Sequence, residues 1–232
     1  MPCEVYLLNG TPDPDSLVAA AARICYSDAA ASDLLERESD QLSARLLREL
    51  WRSGHHSPFE HISFTFGVDG LSRVASHQLV RHRVASFSQQ SQMYVKMDGP
   101  AVVVPPSVAS DPKAKELFES QAKAAFAAYK VLLASGVPAE DARFILPHGW
   151  ETRLVFTMNA RELHHFFRLR LCRRAQWEIR ELARLMLAEC RKAAPVTFEL
   201  AGPPCLSDGC KEARPCGKPY RNMEELLGKD DE

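Results

Sequence analysis

No stretch of this 232-residue chain approaches the ~20 consecutive apolar residues that would span a bilayer, and the opening MPCEVYLLNG lacks the basic region and long apolar run of a secretory signal. A soluble, cytoplasmic protein without a membrane partner is the expectation. A charge excess is missing too: 29 Lys and Arg stand against 30 Asp and Glu, formally net −1, so nothing draws the whole chain to nucleic acid or anionic lipid. Any anion binding must therefore be local. No Cys-x2-Cys pair occurs, and seven cysteines is an odd count for a secreted disulfide framework. Cys3, Cys25, Cys172 and Cys190 are scattered singly, as expected of reduced thiols. Repeats and low-complexity linkers are absent as well. With 46% hydrophobic residues the chain can bury one substantial core, and a single elaborated domain accounts for its length.

What is present reads as strands interleaved with long helices. Cys3 to Leu8 predicts a strand, and Ser16 to Ile24 an Ala-rich helix with Asp15 as its N-cap. Leu42, Leu46, Leu47 and Leu50 lie at helical spacing in a helix over 41–51, which Gly54 stops. Ile62 to Val68 alternates large and small residues, a strand period, with Asp69-Gly70 as its closing turn. A helix from Leu71 to about Arg81 follows. Beyond it come a short strand at Val102–Val104, a long helix over 112–135 ended by Gly136, and a short helical piece after Pro138. A strand at Thr152–Met158 and helices over 160–168 and 175–192 complete the pattern. Regular βαβ spacing is lacking, which favours an α+β fold, with a mixed sheet packed against long helices.

Charge is neutral overall but uneven along the chain. Ser72 to Gln92 holds Arg73, Arg81 and Arg83 and no Asp or Glu, while Asn159 to Arg180 holds six arginines against Glu162 and Glu178. One arginine-rich helix is usually a solvated face; two such segments in a neutral chain point to local anion sites. The densest is Arg81-His82-Arg83, which leads into a Ser/Gln-rich run containing Ser91. Arginine presents a planar fork of donors matched to phosphate and remains charged at any working pH. Gln78 and Arg81 share a helical face, as do Arg161 and His165. Convergent donors of this kind suit a nucleotide.

Two other groupings invite a metal. His55-His56-Ser57-Pro58-Phe59-Glu60-His61 has ligand types, but its spacing matches no zinc-helix signature and Pro58 disfavours one continuous helix. It reads as a binding loop in which His55 and Ser57 offer donors. Cys205, Cys210 and Cys216 are one thiolate short of a closed zinc site, so the expectation is an irregular reduced tail and no metal.

Taken together these motifs resemble the flavin-dependent thymidylate synthases. The family signature of Arg-His-Arg, seven residues, then Ser is matched by Arg81-His82-Arg83 and Ser91. The resemblance extends to Ser57-Pro58-Phe59-Glu60-His61, Gln78, Arg143 in Ala-Arg-Phe-Ile-Leu-Pro, Asn159-Ala160-Arg161, and Arg170 ahead of Ala175-Gln176-Trp177-Glu178. It implies a catalytic domain over 1–200 with an irregular Gly/Pro/Cys-containing tail over 201–232. It also implies a homotetramer with active sites between subunits, which converts deoxyuridine monophosphate (dUMP) to dTMP. FAD is the implied cofactor, with methylenetetrahydrofolate and NADPH as co-substrates. By carry-over, Ser57, Arg81, His82, Arg83, Gln89, Asn159, Arg161 and His165 would contact the flavin. Gln78, Arg81, Gln89, Ser91, Arg143 and Arg170 would hold dUMP. Arg170 would also be catalytic, favouring the N3-ionised uracil. Ser91 has no His-carboxylate pair beside it in sequence and reads as a binding residue rather than a nucleophile; Cys172 reads as packing.

Three positions depart from the family pattern. Met93 stands where an arginine commonly helps hold the nucleotide, Ser88-Gln89 replaces Asn-Glu, and Arg174 occupies a position that is often histidine. Two other classes compete with the synthase: a nucleotide-binding flavoprotein without synthase activity, and a nucleic-acid module using the arginine-rich segments. The second has the neutral charge balance against it.

Overall fold

The computed structural model describes residues 3–34 and 40–228. The chain opens with β1 (Glu4–Gly10), α1 (Pro14–Arg23) and α2 (Asp40–Arg52). A 3-10 turn at Ser57–His61 leads into β2 (Ser63–Ser72), α3 (Arg73–Leu79) and β3 (Ala85–Gln89). Then follow α4 (Pro106–Ala109), α5 (Pro112–Ala134), α6 (Ala139–Ala142), β4 (Glu151–Asn159), α7 (Ala160–Arg170), α8 (Trp177–Ala193) and α9 (Met223–Leu227). The α+β class stands.

The four strands form one sheet in the order β1-β2-β4-β3, and its register is antiparallel rather than mixed. Along β2 and β4 the partners run in opposite senses: Ala160 N donates to Ile62 O, Thr65 Oγ1 meets Thr157 Oγ1 at 2.9 Å, and Arg73 N donates to Trp150 O. Gln90 N donating to Arg153 O and the Phe87–Phe156 ring pair set the same sense for β3. Thr11 N donates to Ser63 O, while Leu8 lies so close over Gly67 that an added Cβ would meet it at 3.1 Å. A mixed sheet would include at least one parallel pair joined by a crossover. The chain instead leaves β2 and re-enters β4 at the same end of the sheet, which is an antiparallel connection.

Five further features differ from the sequence reading. Asp69-Gly70 does not close β2: Gly70 adopts φ 74 inside the strand, and the ladder continues to Ser72. That conformation is open to glycine at no steric cost. The next helix starts where Ser72 Oγ accepts from Ala75 N and ends at Leu79, so Arg81-His82-Arg83 lies beyond it. Residues 85–89 pair as an edge strand, and the Val102–Val104 strand is reduced to one bridge, Val102 with Trp150. Asp15 is not the cap of α1. Its carboxylate, in the first turn, accepts from Val196 N, Thr197 N and Thr197 Oγ1 at 3.0, 2.9 and 2.6 Å.

The residues group into two compact units, and β2 and β4 contribute to both. The smaller, mainly Val68–Arg81 and Ser88–Leu154, is centred on Tyr129, Ala142, Leu146 and Trp150. The larger contains Val5–Gly67, His82–Phe87 and the chain from Val155 onward. Its core stacks Phe66 on Phe156 and sets Phe64 edge-on to Phe198. The apolar stripe of α8 (Ile179, Leu182, Ala183, Met186, Leu187) is buried there. Truncating one such leucine to alanine removes about 2–5 kcal/mol.

Candidate active site

In the larger unit the N-terminal half of α7 organises half of the candidate cofactor residues: His82, Asn159, Arg161 and His165. Asn159 caps the helix, its Oδ1 accepting from Glu162 N at 2.9 Å. An N-cap oxygen satisfies one of the backbone donors left open in a first turn. The Glu162 side chain does not fold back on the cap. It reaches His82 Nδ1 at 2.9 Å, in a pair shielded from solvent on both sides. On the opposite edge of the imidazole, Arg170 Nε donates to His82 Nε2 at 3.1 Å. A guanidinium only donates, so Nε2 must carry the lone pair and Nδ1 the proton. The result is a directed chain in which the Glu162 carboxylate fixes the His82 tautomer and His82 fixes the plane of the Arg170 guanidinium.

Burial, then the charges of Arg170 and His165, push the His82 pKa below its ordinary value, against the hydrogen bond to Glu162, which raises it. His82 is therefore neutral at physiological pH, as the acceptor role requires. Ligand atoms of His82, Glu162 and His165 lie within 4.8 Å of one another. A divalent ion there would have to displace Arg170 from His82 and tolerate its charge, so the trio is better matched to the arginine than to a metal.

Arg161 and His165 line a cavity of about 810 Å³ bordered by Trp51, His56 and Arg168, near the upper range for small-molecule sites. Arg161 is ion-paired with Glu60 across its edge. His164, next to His165 in sequence, belongs to the core: it stacks on Trp51 and Phe198, and its Nε2 meets Thr197 O at 2.9 Å. Ser57 and Arg83 are exposed in this unit, outside the lining of the cavity.

The smaller unit holds the remaining residues. Gln89 Nε2 donates to Ser76 Oγ and Thr152 Oγ1 at 3.0 and 3.1 Å, which fixes the side chain and orients its amide. Ser91 Oγ accepts from Met93 N at 3.2 Å, and Met93 is itself exposed. Arg143 Nε donates to Glu140 O at 3.0 Å, and Arg81 is exposed just past α3. Arg73 is drawn in beside Arg143. Its pKa is lowered by burial first and then by the Arg143 charge. Two cations held together are stable when they share an anion.

Sequence reasoning singled out neither Arg73 nor Glu162 as a site residue. Arg73 was visible in the carboxylate-free segment. Glu162 carried only an Asn-x-x-Glu capping signature, which says nothing of a partner 80 positions away. Of the candidate residues, the geometry joins His82 directly to Arg170 and puts Arg161 and His165 on one cavity, whereas Gln78, Arg81, Gln89, Ser91 and Arg143 fall in the other unit.

Residues 6–196 match the family model described as thymidylate synthase complementing protein. A flavin-dependent thymidylate synthase of Geobacter sulfurreducens is 52% identical over 218 residues, covering 93% of this chain and 94% of that protein. One of Clostridium tetani is 42% identical, with 94% of each covered. Among solved structures, the UMP/dUMP methylase PolB from Streptomyces cacaoi, bound with 5-Br dUMP, superposes with a TM-score of 0.76 at 31% identity. The match covers 85% of this chain and 93% of that one. On these matches the chain belongs to the flavin-dependent thymidylate synthase family.

Proposed function

We propose that this enzyme reductively methylates dUMP to dTMP, with methylenetetrahydrofolate as one-carbon donor, NADPH as reductant and FAD as cofactor, in a homotetramer. The observation that carries the reading is likeness over nearly the full length: 52% identity to a named flavin-dependent thymidylate synthase across more than nine-tenths of both chains. The donor chemistry agrees. Arg161 and His165 on a large cavity, with Ser57, Arg83 and the Asn159 amide in the same unit, supply the cations and hydrogen-bond donors that a flavin dinucleotide needs. When bound, the flavin supplies the redox chemistry of the reaction.

The protein's own part is positional and electrostatic. Carbon 5 of uracil is a poor nucleophile until electron density is pushed toward it. A cation held against the pyrimidine favours the N3-ionised form and does so. Arg170 is that cation, and the Glu162–His82 chain keeps its plane fixed. In the smaller unit Gln78, Arg81, Gln89 and Ser91 hold the nucleotide. Arg143, with Arg73 beside it, supplies the phosphate charge that Met93 does not.

Turnover of dUMP with FAD, NADPH and methylenetetrahydrofolate, followed by chromatography, tests the reading. Formation of dTMP that falls by about 100-fold or more in Arg170→Ala, with flavin still bound, supports it. A flavin-bound protein that binds dUMP and never forms dTMP would support the inactive flavoprotein instead.

A further inference from the structure

The C-terminal cysteines gain a fourth member in the fold. Cys172, on the turn between α7 and α8, lines one cavity of about 300 Å³ together with Cys205, Cys210 and Cys216, and all four are free thiols. We propose that these four cysteines form a structural zinc site that fastens the segment after Ala201 to the α7–α8 turn.

The chain is laced past Cys172 by the arginines around it. Arg168 pairs with Asp208, just before Cys210. Arg174 pairs with Glu212 and also donates to Arg214 O, between Cys210 and Cys216. Arg173 stacks on Tyr220 at 4.0 Å and pairs with Glu225, beyond Cys216. These tethers fasten the segment that carries Cys210 and Cys216 to the cavity that Cys172 lines. Gly209 and Gly217 adopt φ 82 and 76 next to those two cysteines, turns that glycine makes without strain.

Besides these three arginines, Lys211 and Lys218 also line the cavity. Cations on the cavity wall would offset the −2 charge of a zinc ion held by four thiolates. Zinc takes four sulfurs at about 2.3 Å in a closed tetrahedron. Binding releases four protons, one from each thiol, and no electron moves. Among the described residues the trio of ligand atoms already gathered within 4.8 Å is His82, Glu162 and His165. Zinc binding would therefore have to draw the exposed Cys210 and Cys216 toward the half-buried Cys172 and Cys205. A segment rich in Gly and Pro, with little apolar surface to bury, has reason to use such a fastening.

The test is cobalt(II) titration of the reduced, metal-free full-length protein, followed by zinc competition and alkylation mapping. About one ion per chain is expected, with thiolate-to-cobalt charge-transfer absorption and tetrahedral d–d bands that zinc abolishes. Zinc should protect Cys172, Cys205, Cys210 and Cys216 from alkylation and leave Cys25 reactive. Cys210→Ser and Cys216→Ser should each lose the charge-transfer band, while Cys25→Ser keeps it. Absence of the band, a cobalt spectrum without sulfur ligation, or equal alkylation with and without zinc would overturn the proposal. The wild-type spectrum and mapping decide the matter even where a variant fails to fold.

Discussion

Removing the Glu162 carboxylate should disable the enzyme through Arg170, although Glu162 is not assigned a contact with any ligand. In Glu162→Leu, His82 Nδ1–H loses its acceptor in a place where water does not replace it: the side chains are 3% and 10% exposed. A buried donor left unsatisfied costs about 1–3 kcal/mol, and the loss should appear as a lower midpoint in urea. The tautomer is then no longer fixed, and a proton moved to Nε2 would oppose the Arg170 donor. Displacing a positioned group by about 1 Å can cost on the order of 100-fold in rate, so turnover should fall by ~10–100-fold. Glu162→Gln still offers an oxygen to Nδ1–H and should retain most of the activity. Steady-state kinetics of both variants, with nitrogen-15 spectra reporting the His82 tautomer, make the check. Unchanged turnover in Glu162→Leu would refute the orientation chain, as would equal losses in both variants.

Other outcomes follow from the same structure. Met93→Arg restores a cation two residues past Ser91 and should tighten dUMP by roughly 10-fold, since a charge-assisted hydrogen bond contributes about 1.5–3 kcal/mol; an unchanged dissociation constant by calorimetry sinks this. Arg73→Met should weaken dUMP binding while leaving deoxyuridine affinity nearly unchanged, because the contact assigned to it is with phosphate; equal effects on both ligands would refute that assignment. Burial lowers the His164 pKa from 6.5 to about 3. The unfolded chain therefore takes up the proton first, and stability is complete above pH 6.5 and lost as pH falls toward 3, by about 1.4 kcal/mol per pH unit. Urea midpoints for His164→Gln against the parent should show a shallower acid slope. Asp15→Ala removes the acceptor for three donors and should destabilise by about 2–4 kcal/mol in urea.

Periodicity disclosed the elements whose apolar face is long enough to repeat. The stripes of α5 and α8 and the alternation in β4 fall where the pattern places them. The edge strand β3 did not show, because Ala85–Gln89 carries one large apolar residue and its pairing comes from β4 rather than from its own composition. The same limit applies to Asp15, whose partners are 181 and 182 positions away. The sheet's antiparallel sense and the Glu162–His82–Arg170 chain likewise depend on long-range pairing. The arginines and the signature serine stood out in the sequence because they occur at family spacing and concentrate positive charge in a neutral chain. The residue that orients Arg170 was hidden, because a glutamate three residues after an N-cap Asn has an ordinary local explanation.

A flavin and dUMP are expected to act together in this protein. The most direct measurement is the visible absorption of the FAD-loaded enzyme, followed anaerobically after NADPH is added, with and without dUMP. The expected result is a flavin band that bleaches, faster with dUMP present, and dTMP in the quenched mixture once methylenetetrahydrofolate is supplied. A protein that cannot be loaded with FAD, or whose flavin is reduced with no dTMP formed, would contradict it.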